Sequence, residues 1–151
     1  MEALIIYTSL TGNTQACADI VAEALEKLGV DVDVQDVYDS EVEDFYDYDL
    51  CLVGCYSYGG HGELPDEIMD LWEDLAEVDL HDKVYACFGS ADDFYPIFGA
   101  AVEDFEAHFE KSGATKGAEG VKVNLNPEED DEVRLTKMAE DLVNTYKHLN
   151  S

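Results

Sequence analysis

Near its N-terminus the chain reads Thr8-Ser9-Leu10-Thr11-Gly12-Asn13-Thr14. This segment follows the apolar run at residues 3–7 and opens a stretch with helical periodicity, so it predicts a turn between a β-strand and the N-terminus of an α-helix. Unpaired backbone N–H groups and the helix dipole make such a turn suitable for a phosphate group. Because the turn contains no Lys or Arg, a phosphate there would be held by amides and hydroxyls alone. Helix capping is the alternative role for these hydroxyls.

Apolar and alternating segments along the chain predict five β-strands, at residues 3–8, 30–34, 50–54, 84–88 and 120–125. Amphipathic segments between them predict helices, and strands joined by helices usually run parallel. The first, third and fourth strands are apolar on both faces, as central strands are, whereas the second and fifth alternate. The sequence therefore predicts a single domain over residues 1–151 with a three-layer, doubly wound α/β fold and a parallel sheet in the order 2-1-3-4-5.

Acidic residues dominate two segments with helical expectations. A short helix is expected within residues 39–48, and the acidic run at residues 128–132 is expected to open the last helix, where negative charge favours the dipole. The fourth helical segment is expected to carry Phe98, Ala101, Val102, Phe105 and Phe109.

The charge of the chain is strongly unbalanced, with 8 basic and 36 acidic residues and a formal net charge of −28. Such a field repels DNA, RNA and anionic membranes, and it accelerates encounters with basic protein surfaces. Solubility or adaptation to a salty environment is the alternative explanation. No apolar stretch approaches the ~20 residues needed to span a bilayer. Met1-Glu2-Ala3 lacks the basic flank of a signal peptide, so secretion is not expected.

The cysteines Cys17, Cys51, Cys55 and Cys87 form no Cys-x-x-Cys pair. Three of them lie inside apolar runs, which indicates buried, reduced thiols rather than disulfides or a zinc site. The cysteines therefore favour a cytoplasmic protein.

The predicted topology brings three loops together, because ligands of this fold bind beyond the carboxyl ends of the strands where the winding reverses. The second loop spans residues 55–65 and the third spans residues 89–96. Both carry tyrosines, and all three loops contain small residues that let the backbone approach a ligand. A phosphate seat between two aromatic loops suits a flat, conjugated ring joined to a phosphate.

These loops resemble those of the flavodoxin family, in its short-chain form. The first fits the family's hydroxyl-x-Thr-Gly-x-Thr signature. The second, Tyr56-Ser57-Tyr58-Gly59-Gly60-His61-Gly62-Glu63-Leu64-Pro65, resembles the family's Tyr-Thr-Trp-Gly-Asp-Gly-Glu-Leu-Pro. The third, Gly89-Ser90-Ala91-Asp92-Asp93-Phe94-Tyr95, resembles Gly-Ser-x-Asp-x-x-Tyr. The likeness runs from Ala3 to the last helix and lacks the insertion that marks long-chain members.

The resemblance implies a protein that binds flavin mononucleotide (FMN) without a covalent bond. The phosphate would be held by Ser9, Leu10, Thr11, Gly12, Asn13 and Thr14. Tyr95 would stack on the outer face of the ring and Tyr58 on the inner face, with Tyr56 as the alternative inner residue. Asp92 and the backbone of Ser57 and Ala91 would lie near the ring edge and ribityl chain. The other candidate cofactor residues are Gly59, Gly60, Ser90 and Phe94.

The chain departs from the family pattern in the second loop. Tyr58 stands where Trp is common, and one extra residue leaves the alignment of Gly59, Gly60 and His61 open by one position. A carbonyl of the Gly59–Gly60 or Gly60–His61 peptide is expected to accept a hydrogen bond from the flavin N5–H, since glycine peptides rotate at little cost.

The resemblance further implies a low-potential, one-electron carrier rather than an enzyme, and no general base, nucleophile or metal set is evident. Expected partners are basic patches on flavodoxin or ferredoxin reductases and on terminal oxidoreductases, with no nucleic acid or membrane, and the expected state is a monomer. The alternative is an FMN-dependent quinone or nitro reductase. A phosphoacceptor domain is rejected because Thr8 and Ser9 stand where its acidic cluster belongs, and a P-loop enzyme is rejected for want of Gly-Lys-Ser/Thr.

Overall fold

A computed structural model of the protein describes residues 1–57, 63–94 and 97–151. The strands are β1 (Glu2–Thr8), β2 (Asp31–Asp36), β3 (Leu50–Cys55), β4 (Val84–Ala91), β5 (Thr115–Lys116) and β6 (Val121–Asn124). The α-helices are α1 (Asn13–Lys27), α2 (Met69–Leu75), α3 (Ala100–Lys111) and α4 (Glu129–Leu149). Short 3₁₀ helices span Val37–Asp39, Val42–Asp47 and Asp66–Ile68.

The sheet is parallel and confirms the predicted strand order. β1 lies between β2 and β3, and β3 pairs with β4. The far side of β4 is shared by two segments, since β5 pairs with its beginning and β6 with its end. The fifth strand was predicted at residues 120–125, and β5 was not predicted. Two residues are too few to leave a periodic pattern, which is why the sequence did not reveal β5.

One helical prediction is confirmed and one needs correction. A short helix lies within residues 39–48 as predicted, and it is the 3₁₀ helix Val42–Asp47. Asp44 accepts from the Glu41 N–H at its start, and Asp36 accepts from the Tyr38 N–H in the 3₁₀ turn before it. Phe98 precedes α3, which begins after Gly99 in the left-handed conformation (φ 69°).

Two apolar layers enclose the sheet. Residues of α1 and α4 pack on one face and residues of α2 and α3 on the other. Both faces of β3 and β4 are therefore buried along their whole length, as predicted for central strands. All four cysteines are free and buried, which confirms that prediction. Within the described parts of the chain, no helix is long and apolar enough to cross a membrane.

Helix α4 opens on the acidic run, as predicted, and one carboxylate there caps the helix. Asp131 Oδ2 accepts a hydrogen bond from the Glu128 N–H at 3.0 Å, and Asp131 also pairs with Arg134. Burial raises the pKa of Asp131, but the Glu128 N–H and Arg134 outweigh it and hold the pKa below the ordinary value.

Replacing Asp131 with Ala is expected to lower the free energy of unfolding by about 1 kcal/mol at pH 7. A lowered pKa stabilises the folded state above the ordinary value of 3.8 and stops doing so as the pH falls through the folded-state pKa. The difference between wild type and variant should therefore shrink in acid, as measured by urea unfolding across pH. Asp130→Ala, exposed in the same turn, removes an equal charge and is the control. Equal losses from both variants would contradict the capping role.

Candidate cofactor site

The loops that follow β1, β3, β4 and β6 meet at one end of the sheet, because parallel strands place their carboxyl ends together. A cavity of about 150 Å³ lies among them. It is lined by these residues, all but the last predicted from the sequence: Ser9, Leu10, Thr11, Asn13, Thr14, Tyr56, Ser57, Ser90, Ala91, Asp92 and Leu125. The structure thus brings residues from four separate loops to one place.

Other predicted residues lie elsewhere or outside the described chain. Gly12 adjoins the cavity as the residue that precedes α1. Phe94 lies in the third loop but does not line the cavity, and it is 84% exposed. Tyr58, Gly59, Gly60 and Tyr95, like His61, lie outside the described residues.

The first loop presents unpaired donors at the start of α1. Gly12 adopts the left-handed conformation (φ 91°) and offers no side chain to cap the helix. Ser9 Oγ partly takes that role, since it accepts from the N–H groups of Gly12 at 3.0 Å and Gln15 at 3.3 Å. Within the described residues, nothing accepts from the N–H groups of Asn13 and Thr14. These amides are therefore available to an anion.

Hydrogen bonds tie the third loop to both of the others. Thr14 Oγ1 and Ser90 Oγ are 2.7 Å apart, and the two residues are only 1% and 4% exposed. The Ser57 N–H donates to the Ser90 carbonyl at 3.1 Å, and Ser57 Oγ accepts from the Ala101 N–H at the start of α3. These hydrogen bonds join described residues of all three loops to one another and to the start of α3.

The third loop and Leu125 form one wall of the cavity. Asp92 Oδ1 accepts from the Phe94 N–H at 2.9 Å, so this carboxylate stabilises its own turn. The Leu125 N–H donates to the Ala91 carbonyl at 2.8 Å, and Leu125 holds a positive φ of 60° while 49% exposed. The sequence did not reveal Leu125 as a site residue, because it was counted as the last residue of the predicted fifth strand; it follows β6 directly, at the same end of the sheet.

Glu67 was also missed, although it lies directly behind the cavity. Its Oε1 accepts from Thr8 Oγ1 at 2.8 Å and from the Tyr56 hydroxyl at 2.7 Å. Burial raises the pKa of Glu67, but these two donors and its own N–H outweigh burial and lower it. Burial and the Glu67 carboxylate both raise the pKa of Tyr56. At neutral pH the pair is therefore a carboxylate and a protonated phenol.

The chemistry of the cavity suits the phosphate-bearing end of a ligand. No Lys or Arg is among the lining residues, whereas hydroxyls and free amides are. Its volume is smaller than the ~300–1,000 Å³ of pockets that enclose a whole ligand, so the described residues accommodate only part of one. Neutral donors at a helix N-terminus bind phosphate without a cation. The residues present therefore fit the phosphate of FMN.

A larger cavity, of about 670 Å³, lies at the opposite end of the sheet. Carboxylates dominate its wall: Glu2, Glu26, Asp31, Asp33 and Asp47. A phosphate would be repelled there, so size alone does not identify the cofactor site.

The sequence of the chain is similar to those of known proteins. Residues 5–136 match the model of the flavodoxin family. The chain is 38% identical over 137 residues to a probable flavodoxin 2 of Bacillus subtilis, covering 89% of each chain.

Solved structures are similar to this chain in fold as well as in sequence. A flavodoxin of Streptococcus pneumoniae TIGR4 is 48% identical with a TM-score of 0.92, over 95% of this chain and 99% of the other. A short-chain flavodoxin associated with a bacterial microcompartment is 41% identical with a TM-score of 0.94, over 97% and 99% of the two chains. The chain described here belongs to the flavodoxin family.

Proposed function

We propose that this protein transfers electrons one at a time between redox proteins by means of a single, non-covalently bound FMN. Flavodoxins are electron carriers rather than enzymes, and the family match extends over most of this chain. The observation that carries the proposal is the cavity in which a phosphate loop without cations meets the loops after β3 and β4. When bound, FMN supplies reversible one-electron chemistry; the protein binds it, orients it and sets its energy.

We propose a role for the candidate residues of each loop. We assign the phosphate to residues 9–14, with the free amides of Asn13 and Thr14 as donors. The ribityl chain and ring edge are assigned to Ser57, Ala91 and Asp92, which line the same cavity, together with Ser90. For the two faces of the ring we propose Tyr95 outside and Tyr58 inside, with Tyr56 as the alternative inner residue. Gly59, Gly60 and Phe94 complete the proposed contacts.

The charge of the chain supports finer proposals about partners and potential. A net charge of −28 opposes the addition of further negative charge at the site, which favours a low potential. The same field attracts basic surfaces, and we propose reductases and terminal oxidoreductases with such surfaces as partners. Association rate constants that did not fall with added salt would argue against this. We also propose a monomeric, cytoplasmic protein with one domain over residues 1–151.

The test is a redox titration of the purified protein with bound FMN. We expect one FMN per chain and reduction in two separate one-electron steps, measured by visible absorption and by the number of electrons consumed. The competing hypothesis, an FMN-dependent quinone or nitro reductase, is not favoured by the family match. It predicts steady-state oxidation of NAD(P)H by the protein alone, with a quinone or nitro compound as acceptor. That activity, or reduction in a single two-electron step, would refute the carrier function.

A further inference from the structure

Glu67 connects two loops of the cofactor site without lining the cavity itself. It lies on the 3₁₀ helix Asp66–Ile68, and its Oε1 accepts from Thr8 at 2.8 Å and from Tyr56 at 2.7 Å. Thr8 is the last residue of β1 and is buried, directly before the phosphate loop. Tyr56 is the first residue after β3 and lines the cavity. One carboxylate oxygen therefore joins the side chains at these two positions.

The direction of both hydrogen bonds is fixed by ionisation. The donors Tyr56 and Thr8 help to hold the pKa of Glu67 below its ordinary value in spite of burial, so the side chain is a carboxylate at neutral pH. A carboxylate only accepts hydrogen bonds, so Thr8 and Tyr56 both donate.

Among the side chains of the described residues, Glu67 joins the first loop to the second. The first and third loops are joined by Thr14 and Ser90, and the second and third by Ser57 and Ser90. Strand pairing joins the two loops at the backbone as well, since Thr8 of β1 is the partner of Cys55 of β3. Loss of Glu67 would remove the acceptor that joins the Thr8 and Tyr56 side chains.

We propose that Glu67 is a positioning residue, which holds Tyr56 and the start of the phosphate loop at the spacing that bound FMN requires. The inference rests on the proposed function, because it concerns the affinity of the same site for FMN. Preorganisation of this kind raises affinity by removing the cost of ordering the loops on binding. We therefore expect the affinity for FMN to depend on the acceptor oxygen of Glu67 and not on its negative charge.

The test compares Glu67→Gln with Glu67→Ala in the full-length protein, after removal of FMN. Gln keeps an oxygen that accepts both hydrogen bonds, so its dissociation constant for FMN is expected to stay within about threefold of wild type. Ala removes the acceptor, and its dissociation constant is expected to rise at least about tenfold, the scale of a lost hydrogen bond to a charged group. Flavin fluorescence quenching measures binding, and circular dichroism establishes that each apoprotein is folded.

Asp66→Ala is the control for charge, because Asp66 is exposed on the same 3₁₀ helix; its FMN affinity should match wild type. The double variant Thr8→Val, Tyr56→Phe removes both donors and should weaken FMN binding about as much as Glu67→Ala. Adding Glu67→Ala to it should then change little, which a purely additive loss would not produce. If Glu67→Ala does not fold, the double variant tests the same link.

Two results would overturn the inference while leaving the proposed function intact. One is a folded Glu67→Ala, or a folded double variant, that binds FMN as tightly as wild type. The other is tighter binding by both Gln and Ala, which would mean that Glu67 acts only by repelling the phosphate. Failure of the wild-type protein to bind FMN would instead refute the proposed function itself.

Discussion

Riboflavin, which lacks the phosphate of FMN, is expected to bind the apoprotein at least about 100-fold more weakly than FMN does. The phosphate would accept hydrogen bonds from amides and hydroxyls at the start of α1, and each bond to a charged group contributes about 1.5–3 kcal/mol. Two such bonds are enough for a 100-fold difference. The free amides of Asn13 and Thr14 are the donors that the structure offers.

Salt should strengthen the binding of FMN, by about threefold to tenfold between ~10 and ~300 mM. The net charge of −28 repels the phosphate at long range, and salt screens that repulsion. Short hydrogen bonds from amides are screened far less. A site built from Lys or Arg would behave in the opposite way, because salt would weaken its attraction.

Titrations of apoprotein with both flavins at several salt concentrations measure this effect. Riboflavin is the internal control, since it carries no charge and its affinity should depend little on salt. Because an acidic chain can also gain stability from salt, circular dichroism must show a folded apoprotein at every concentration. FMN affinity that falls with salt, or equal affinities for the two flavins, would contradict a phosphate site without cations.

Replacing Gly89 with Ala is expected to cost about 3 kcal/mol of unfolding free energy and to weaken FMN binding. A Cβ atom at Gly89 would lie 2.1 Å from the carbonyl oxygen of Cys55 and 3.4 Å from Val102 Cγ2. The first contact is with backbone, at the end of β3, so it is relieved only by moving the two strands apart. That movement would disturb the bond from Ser57 to the Ser90 carbonyl, and with it the second and third loops.

Gly54→Ala provides the comparison for Gly89→Ala. A Cβ atom at Gly54 would lie 2.4 Å from the ring of Phe88, which is a side chain rather than backbone. Because that ring can repack, we expect Gly54→Ala to lose less unfolding free energy than Gly89→Ala. We also expect the cofactor loops to stay in place. Urea unfolding and FMN titration of both variants measure the difference. Wild-type stability and affinity in Gly89→Ala would show that the strands do not need this close approach.

The order of the strands was predictable because strands that are buried on both faces consist mainly of apolar residues. β1, β3 and β4 are flanked by strands and covered by helices, so their residues are apolar on both faces. β5 was not predictable, since its two residues pair only with the start of β4. The short helix within residues 39–48 was predictable, but its 3₁₀ form depends on local acidic caps, which compete with α-helical hydrogen bonding without changing the apolar pattern.

Some residues of the candidate site were predictable because they are neighbours in sequence, whereas others come from distant elements and were not. Residues 9–14 were predictable because the donors of a phosphate loop are contiguous in sequence and adjoin a helix start. Leu125 and Glu67 come from other elements, and the bond from Thr8 to Glu67 joins residues separated by 59 positions. Single-sequence patterns carry no signal at that separation. The roles of Tyr58 and Tyr95 stay predictions from the resemblance.

The claim that free amides at the start of α1 anchor the FMN phosphate is tested most directly by ¹H–¹⁵N spectra of the apoprotein. The spectra are recorded alone, with FMN and with riboflavin. We expect FMN to shift the amide protons of Asn13 and Thr14 downfield, and we expect riboflavin not to do so. Equal shifts with both flavins, or no shift at these two residues when FMN is bound, would contradict it.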